Sequence, residues 1–459
     1  MQFERSDFSE VAQFTASVIE SIYSRQNLKP EQNPGPDSAL SLQALPPLGG
    51  GKKAFESSLA AYASASAGLA APTMIGHMDT APHPIAAFTD AVVSALNNNL
   101  LFRELSPAAS DIEEHMVSEI GRIMGLSGDW HGSFVSGGSL ANLTALFAAC
   151  GGYAGVEYRA DIRLFLARGA HQSIFKSAAL LGIHADQIHI LPGDEQGRLI
   201  ADELEYELST ELASQGVANA SSLRPVVISV AGSTVHGAVD SISAIADVCE
   251  RFDAWLHVDA IYGAAAAFSK HHRGVLEGLN RANSVVAGPQ KWMYVPRLSA
   301  MFWVRDEAVF NKALVLGNSY SAAPTAARDH RGRIGIQGSR RADAVTLWVL
   351  LNYLGTEALG QAIDSTMSLT QHFYDQLVQH PDLEPAHAPD LNVQCFRYRD
   401  SQLHRQRLDE GALHEQMGSN GVPWVSQSRW GEGDLLRAVI LSTLTGDEQI
   451  QALLDLLRV

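Results

Sequence analysis

Along the first quarter of the chain, apolar residues recur at helical spacing; after that the texture changes. From about Phe8 to Tyr23 the apolar positions follow a helical period, which predicts an amphipathic helix. The stretch Asn27–Gly51 is rich in Pro, Gly and Gln and predicts an extended arm or linker. Helical spacing resumes at Lys53–Ala65, at Ile85–Leu101 and at Ser110–Met124, where Ser110 and Asp111 offer a cap and an early acid. From Gly132 the apolar residues gather into short continuous runs. Strands are expected at Ile162–Leu166, Ile188–Leu191, Val226–Val230, Ala254–Val258, Ser284–Ala287 and Ala300–Val304, with helices such as Leu140–Ala149, His171–Leu181 and Ile242–Arg251 between them. Such alternation predicts an α/β unit with a mainly parallel sheet. Gly317–Gly338 reads as a long loop of the kind that often carries function. A helix is expected from Arg341 through Leu351, then a tail that mixes helices with short strands at Val393–Tyr398 and Leu436–Leu441. The implied division is an arm and linker at 1–75, a large α/β domain at 76–361 and a small α+β domain at 362–459.

Composition narrows the classes of function. The chain has 459 residues, 46% apolar and 18% charged, as a well-packed enzyme has and a disordered protein has not. Its 50 acidic against 33 basic side chains give a net charge of −17, which opposes binding to nucleic acid or to an anionic membrane surface. No apolar run reaches membrane-spanning length, because Ala-rich pieces such as Leu59–Ala71 are broken by Ser, Tyr and Gly. The start, MQFERSDFSEVAQF, carries acids early and lacks the basic, then apolar, form of a signal peptide. Cys150, Cys249 and Cys395 are odd in number and far apart, which predicts no disulfide framework and a reducing cytoplasm.

The chemistry concentrates in WLHVDAIYGAAAAF, 255–268, and AGPQKWMYVPRLSAMFWV, 287–304. Both deliver a polar residue, Asp259 and Lys291, at the carboxyl end of an apolar strand, where α/β sheets bind ligands. A deprotonated lysine in apolar surroundings forms an imine with an aldehyde, and a carboxylate against a pyridine nitrogen keeps that nitrogen protonated. The pair therefore suits pyridoxal 5′-phosphate; taken singly, Asp259 also reads as a turn cap and Lys291 as a solvated lysine. A second signal is FVSGGSLANLTALFAAC, 134–150, where Gly137, Gly138 and Ser139 lead straight into a helix. Such a turn suits a phosphate and also fits a plain helix start. His171 follows a strand and opens a helix, placed to lie on an aromatic ring or simply to cap.

These motifs, with AGSTVHGAVD and QGSRRADAVTLW, resemble those of the group II pyridoxal-phosphate-dependent amino-acid decarboxylases, from about Gly76 to the end of the chain. The 32 positions separating Asp259 from Lys291 match the spacing expected of the aromatic branch, whereas the GHMD and ALNNN segments lean toward the acidic or diamino-acid branch. The resemblance implies a fold type I architecture (aspartate-aminotransferase-like), with a mainly parallel central sheet, an N-terminal arm and a small C-terminal α+β domain. It implies a homodimer with shared sites and decarboxylation of an L-amino acid to an amine. Lys291 is then the Schiff-base lysine, Asp259 the partner of the ring nitrogen, and His171 the ring-stacking histidine. Gly137, Gly138 and Ser139 form the phosphate turn, Thr234 lies near the cofactor, and Ser339 reaches the phosphate of the neighbouring subunit.

Three positions depart from the family pattern. Gln290 replaces a histidine that touches the phosphate, Ile261 replaces an alanine on the ring face opposite His171, and the loop tyrosine that returns a proton to Cα has no clear counterpart. Arg331 falls near that place, with His330 beside it and Tyr320 upstream. Transamination, oxidative deamination or carbon–carbon lyase chemistry stand as alternatives, as does a non-catalytic binding protein. Among the remaining candidates, His271 and His272 read as a solvated turn, since no third ligand stands at metal spacing. His77 and His83 read either as pocket residues or as loop structure, and Arg437 either as a carboxylate contact or as a buried ion pair.

Overall fold

The computed structural model describes residues 5–24, 47–154, 160–214, 223–316, 330–409, 417, 423–430 and 433–458. Most of the expected 27–51 linker, all of 317–329 and with it Tyr320 lie outside the described residues. The chain divides into two compact units. One comprises 1–81, 372–386 and 395–459, and the other 82–371 and 387–394. Sequence reading had grouped the same chain as 1–75, 76–361 and 362–459.

The larger unit is built on a seven-stranded sheet. Its strands are β1 (Trp130–Val135), β2 (Ile162–Ala167), β3 (Ile188–Leu191), β4 (Arg224–Val230), β5 (Trp255–Ala260), β6 (Ser284–Ala287) and β7 (Ala300–Arg305), in the order β1-β7-β6-β5-β4-β2-β3. Neighbours from β6 through β3 run parallel, and β7 is antiparallel to both β6 and β1. This is the fold class expected. The central parallel strands β4, β5 and β6 are buried along nearly their whole length, which is why they appear in the sequence as continuous apolar runs. β1, with Gly132 and Ser133 inside WHGSFV, has no such run, and only its end at Phe134 and Val135, ahead of the glycine turn, is legible as strand.

Helices of this unit include α1 (Pro84–Leu96), α2 (Pro107–Ile123), α3 (Gly138–Ala149) and α4 (Gln172–Leu180). The second of these begins three residues before the expected Ser110, at Pro107, which suits a first helical turn. Ser110 is buried inside the helix and returns its hydroxyl to the Ser106 carbonyl at 2.8 Å, so it is no cap. α3 packs on β6, β7 and α4 and is buried over most of its surface. Asn142 is therefore a polar side chain set in the core, 1% exposed. The helix expected to run through Leu351 extends over Asp343–Gln379, interrupted at Gly355, whose φ of 79° is left-handed.

In the other unit, the helices Arg5–Ser24 and Gly51–Ala65 pack through Phe14 and Phe55, edge to face at 6.1 Å. A four-stranded sheet is formed by Leu383–Pro385, Val393–Tyr398 (in this unit from Cys395), Ser426–Trp430 and Gly433–Val439. Among the described residues no helix is long and apolar enough to cross a membrane.

Candidate active site

β5 is flanked by parallel strands on both sides, so its carboxyl end opens at the middle of the sheet. Asp259 stands there, 5% exposed. One carboxylate oxygen accepts a hydrogen bond from Asn142 Nδ2 at 2.8 Å, and the other accepts the backbone N–H of Ile261 at 3.2 Å. A buried carboxylate held by two N–H donors has a fixed direction and keeps further lone pairs for a ligand. The register sets Asp259 beside Val286 and Ala260 beside Ala287, so the chain leaving β6 runs past Ile261 toward Lys291. A Cβ on Gly288 would stand 2.6 Å from the Ile261 carbonyl oxygen, which is why glycine occupies that point. The turn closes with Lys291 N–H bonded to the Gly288 carbonyl at 2.9 Å, leaving Lys291 half-buried.

The turn after β1 lies against the same residues. Gly137 takes a φ of 94°, open to glycine at little cost, and α3 starts with no side-chain cap. A Cβ on Gly138 would meet three carbons of the Ile261 side chain at 3.2 Å. Ser136 is held by Gln337, which accepts its N–H at 3.1 Å and donates to its hydroxyl at 2.8 Å. Uncapped first-turn N–H groups beside small residues form an anion site. Gln290 spends its side-chain oxygen on the Ser299 N–H at 2.8 Å, which leaves its amide hydrogens for a ligand.

Residues 67–399 match the pyridoxal-dependent decarboxylase conserved domain, well over half of the chain. The chain belongs to the pyridoxal-dependent decarboxylase family. Cysteine sulfinic acid decarboxylase from Mus musculus is 28% identical over 396 residues, which cover 81% of this chain and 78% of that one. Acidic amino acid decarboxylase GADL1 from Bos taurus is 29% identical over 387 residues, covering 79% and 73%. The crystal structure of mouse CSAD superposes with a TM-score of 0.87 at 24% identity, over 99% of this chain and 98% of that one.

As a member of this decarboxylase family, the chain is a pyridoxal-phosphate-dependent carboxy-lyase acting on an amino acid. Its residues fit the cofactor. A directed carboxylate suits the ring nitrogen, an uncapped glycine turn and the Gln290 amide suit the phosphate, and a half-buried lysine suits the aldehyde. His171 caps α4, its Nδ1 accepting the Ser173 N–H at 3.1 Å, and its ring is exposed. Thr234 is exposed in the turn after β4. That turn is anchored by Asp240, which accepts the Val230 and Leu199 N–H groups at 2.7 and 2.9 Å. Burial pushes the Asp240 carboxyl up to about 7. Ser139 is exposed on the first turn of α3, and Ser339 accepts from Asn99 Nδ2 at 3.2 Å.

Other candidates make hydrogen bonds within the protein. His83 caps α1 through Nδ1 at 3.2 Å, and the N–H groups of His271 and His272 bond Ser269 in a turn. In the smaller unit, Arg437 donates to Ser426 Oγ and to the Gly76 carbonyl, each at 3.0 Å, with His77 Nδ1 at 3.3 Å. His330 is 1% exposed and accepts the Arg103 N–H at 3.2 Å. Arg331 pairs with Glu114 at 3.2 Å and lies 4.0 Å from Glu113, whose carboxylate is bound in two-pronged fashion by Arg340. Both described loop candidates are thus engaged in contacts within the protein.

Sequence reasoning missed Asn142, Ser173, His257 and Ser284. His257 Nε2 meets Asn142 Oδ1 at 3.1 Å, its Nδ1 meets Ser284 Oγ at 2.9 Å, and Asn142 Nδ2 also reaches Ser173 Oγ at 2.9 Å. The available signal was strand alternation: His257 and Asp259, two apart, face the same side of a strand that is otherwise apolar.

Proposed function

We propose that Lys291 is the amine that carries pyridoxal phosphate in this decarboxylase and that Asp259 meets the ring nitrogen. His171 then covers one ring face and Ile261 the other. Gly137, Gly138 and Ser139 hold the phosphate with Gln290, Thr234 lies near the ring, and Ser339 serves the site of the second subunit. The observation that carries this reading is the buried Asp259 carboxylate, held by two N–H donors on the strand beside the one that leads to Lys291. When bound, the cofactor supplies an electron sink for the pair released as the Cα–carboxylate bond breaks. Asp259 keeps a proton at the ring nitrogen so that the sink stays effective. The apolar Ile261 and the His171 ring exclude water from the two faces.

The substrate we infer is an acidic L-amino acid. Its support is the pair of relatives named for cysteine sulfinic acid and for acidic amino acids. A homodimer is proposed on the family resemblance and on α1, where Phe88, Val92 and Leu96 form an exposed apolar stripe at four-residue spacing. A cytoplasmic location is proposed on the three cysteines, all buried and none in a disulfide.

The test loads the protein with pyridoxal phosphate and measures carbon dioxide from cysteine sulfinate, aspartate, glutamate, 2,4-diaminobutyrate and aromatic L-amino acids. Release from the acidic substrates, with the amine as product, is expected. Lys291→Ala should lower the rate at least about 1,000-fold. Borohydride should fix the cofactor on the Lys291 peptide. Turnover of aromatic substrates alone overturns the substrate class, an aldehyde or keto acid overturns simple decarboxylation, and label on another lysine overturns the site.

A further inference from the structure

Behind Asp259 runs a line of buried polar groups, and the direction of every hydrogen bond in it can be deduced. The indole N–H of Trp255 can only donate, and it meets Ser284 Oγ at 2.9 Å. Ser284 Oγ keeps its own hydrogen and a second lone pair, so it can meet His257 Nδ1, 2.9 Å away, in either direction. From the other end, an ionised Asp259 can only accept, so the carboxamide group facing it at 2.8 Å is the Asn142 NH2. That turns Asn142 Oδ1 toward His257 Nε2 at 3.1 Å, and an amide oxygen only accepts, so Nε2 carries the imidazole hydrogen. The Asp259 end therefore decides: a neutral His257 carries its hydrogen on Nε2, and Ser284 donates to the bare Nδ1. Burial of this ring, only partly offset by the nearby Asp259, agrees by lowering its pKa to about 4.

The second hydrogen of the Asn142 amide goes to Ser173 Oγ at 2.9 Å. Ser173 in turn presents its hydroxyl, at 2.8 Å, and its N–H, at 3.1 Å, to His171 Nδ1. One carboxamide thus touches Asp259 directly and reaches His171 through a single serine. Rotating that amide by half a turn would set its oxygen against the Asp259 carboxylate. It would also demand the opposite tautomer of His257 and strand the Ser284 hydrogen, so the reversed line is disfavoured at each link.

We propose that Asn142 is the positioning residue of this site, and that Trp255, Ser284 and His257 serve to fix the direction of its amide so that Asp259 and His171 are held in register for the cofactor. This rests on the assignment of Asp259 and His171 to the cofactor. The parent protein's own affinity for pyridoxal phosphate separates the two ideas: a parent that binds no cofactor at this site refutes the assignment.

The experiment titrates parent and variant apoproteins with pyridoxal phosphate, followed by cofactor absorbance, with thermal melting as the check on folding. His257→Leu should weaken binding about tenfold or more, as expected when a buried acceptor loses its donor. His257→Gln, whose amide can donate to Asn142 and accept from Ser284, should restore most of that loss. Asn142→Leu should weaken binding at least as much, and the double variant no further, because both lie on one line. Parent-like affinity in His257→Leu, or losses that multiply in the double variant, would overturn the proposal. Should the variants fail to fold, 15N-histidine NMR of the parent apoprotein decides. The proposal expects a buried ring protonated on Nε2 and unchanged between about pH 5.5 and 8, a window above its lowered pKa. A ring protonated on Nδ1 there refutes it.

Discussion

Two buried polar assemblies of the larger unit invite comparison: the neutral line from Trp255 to Asp259, and the charged knot of Glu113 with Arg340, Arg331 and Ser133. The knot is closed. Glu113 is fully buried, Arg340 grips both of its oxygens, and Ser133 donates to it at 2.7 Å. Burial alone would push the Glu113 carboxyl up, but the guanidinium and hydroxyl partners outweigh it and hold the carboxyl below the usual glutamate range. The line, by contrast, ends on a carboxylate that still has lone pairs to offer. Charge density is therefore a poor guide to chemistry here. The group that can bind a ligand is the one whose hydrogen-bonding capacity is incompletely used, and the ion-rich cluster is a fastening.

The contrast can be broken most forcefully at Arg340. Arg340→Met strands a buried carboxylate and should cost about 3–5 kcal/mol in urea unfolding. Cofactor affinity of the folded fraction should stay within about threefold, since Asn142 and the Ile261 N–H still hold Asp259. A large loss of affinity at unchanged stability would merge the two assemblies into one. The same knot has a signed pH dependence. Because the Glu113 carboxyl is held low, its stabilisation is present above the ordinary glutamate value and fades as pH falls through the depressed one. The stability gap between the parent and Arg340→Met should accordingly shrink as pH falls through that range, because protonation relieves the stranded carboxylate of the variant.

Arg331→Met should cost less, about 1–2 kcal/mol, because Glu113 retains Arg340. Its kcat should remain within about threefold of the parent; a hundredfold fall would restore Arg331 as a proton donor. The remaining test concerns His257. Its folded pKa is depressed to about 4, so its contribution is complete above the unfolded histidine value near 6.5 and is lost as pH falls through the folded one. His257→Gln should flatten the pH dependence of unfolding in that window by up to about 1.4 kcal/mol per pH unit. An unchanged slope would mean that the ring already titrates normally.

The parts of this molecule legible in its sequence are those in which burial writes a simple pattern. Ser284–Ala287 stands where its apolar run placed it, because a parallel strand covered on both faces needs little else, and Ile188–Leu191 was legible from its apolar residues although it is a half-exposed edge strand. Ser426–Trp430 escaped notice because its sequence, SQSRW, alternates between buried and exposed with no apolar run. Asp259 and Lys291 were legible because each is a polar residue ending an apolar stretch. Asn142 was not: its helical neighbours are compatible with an ordinary small-residue helix, and its partners His257 and Asp259 lie 115 and 117 positions away. The expected role of the 317–338 loop meets a mixed outcome, for Arg331 and His330 belong to structural contacts while Tyr320 lies outside the described residues.

The tight fit around Ile261 has an evolutionary corollary. At Gly288 the obstacle to a larger residue is a backbone oxygen, so that position must stay glycine whatever stands at 261. At Gly138 the obstacle is only the isoleucine side chain, so a branch with a small residue at 261 is released from that constraint, and drift at the two positions should be correlated among descendants of this sequence.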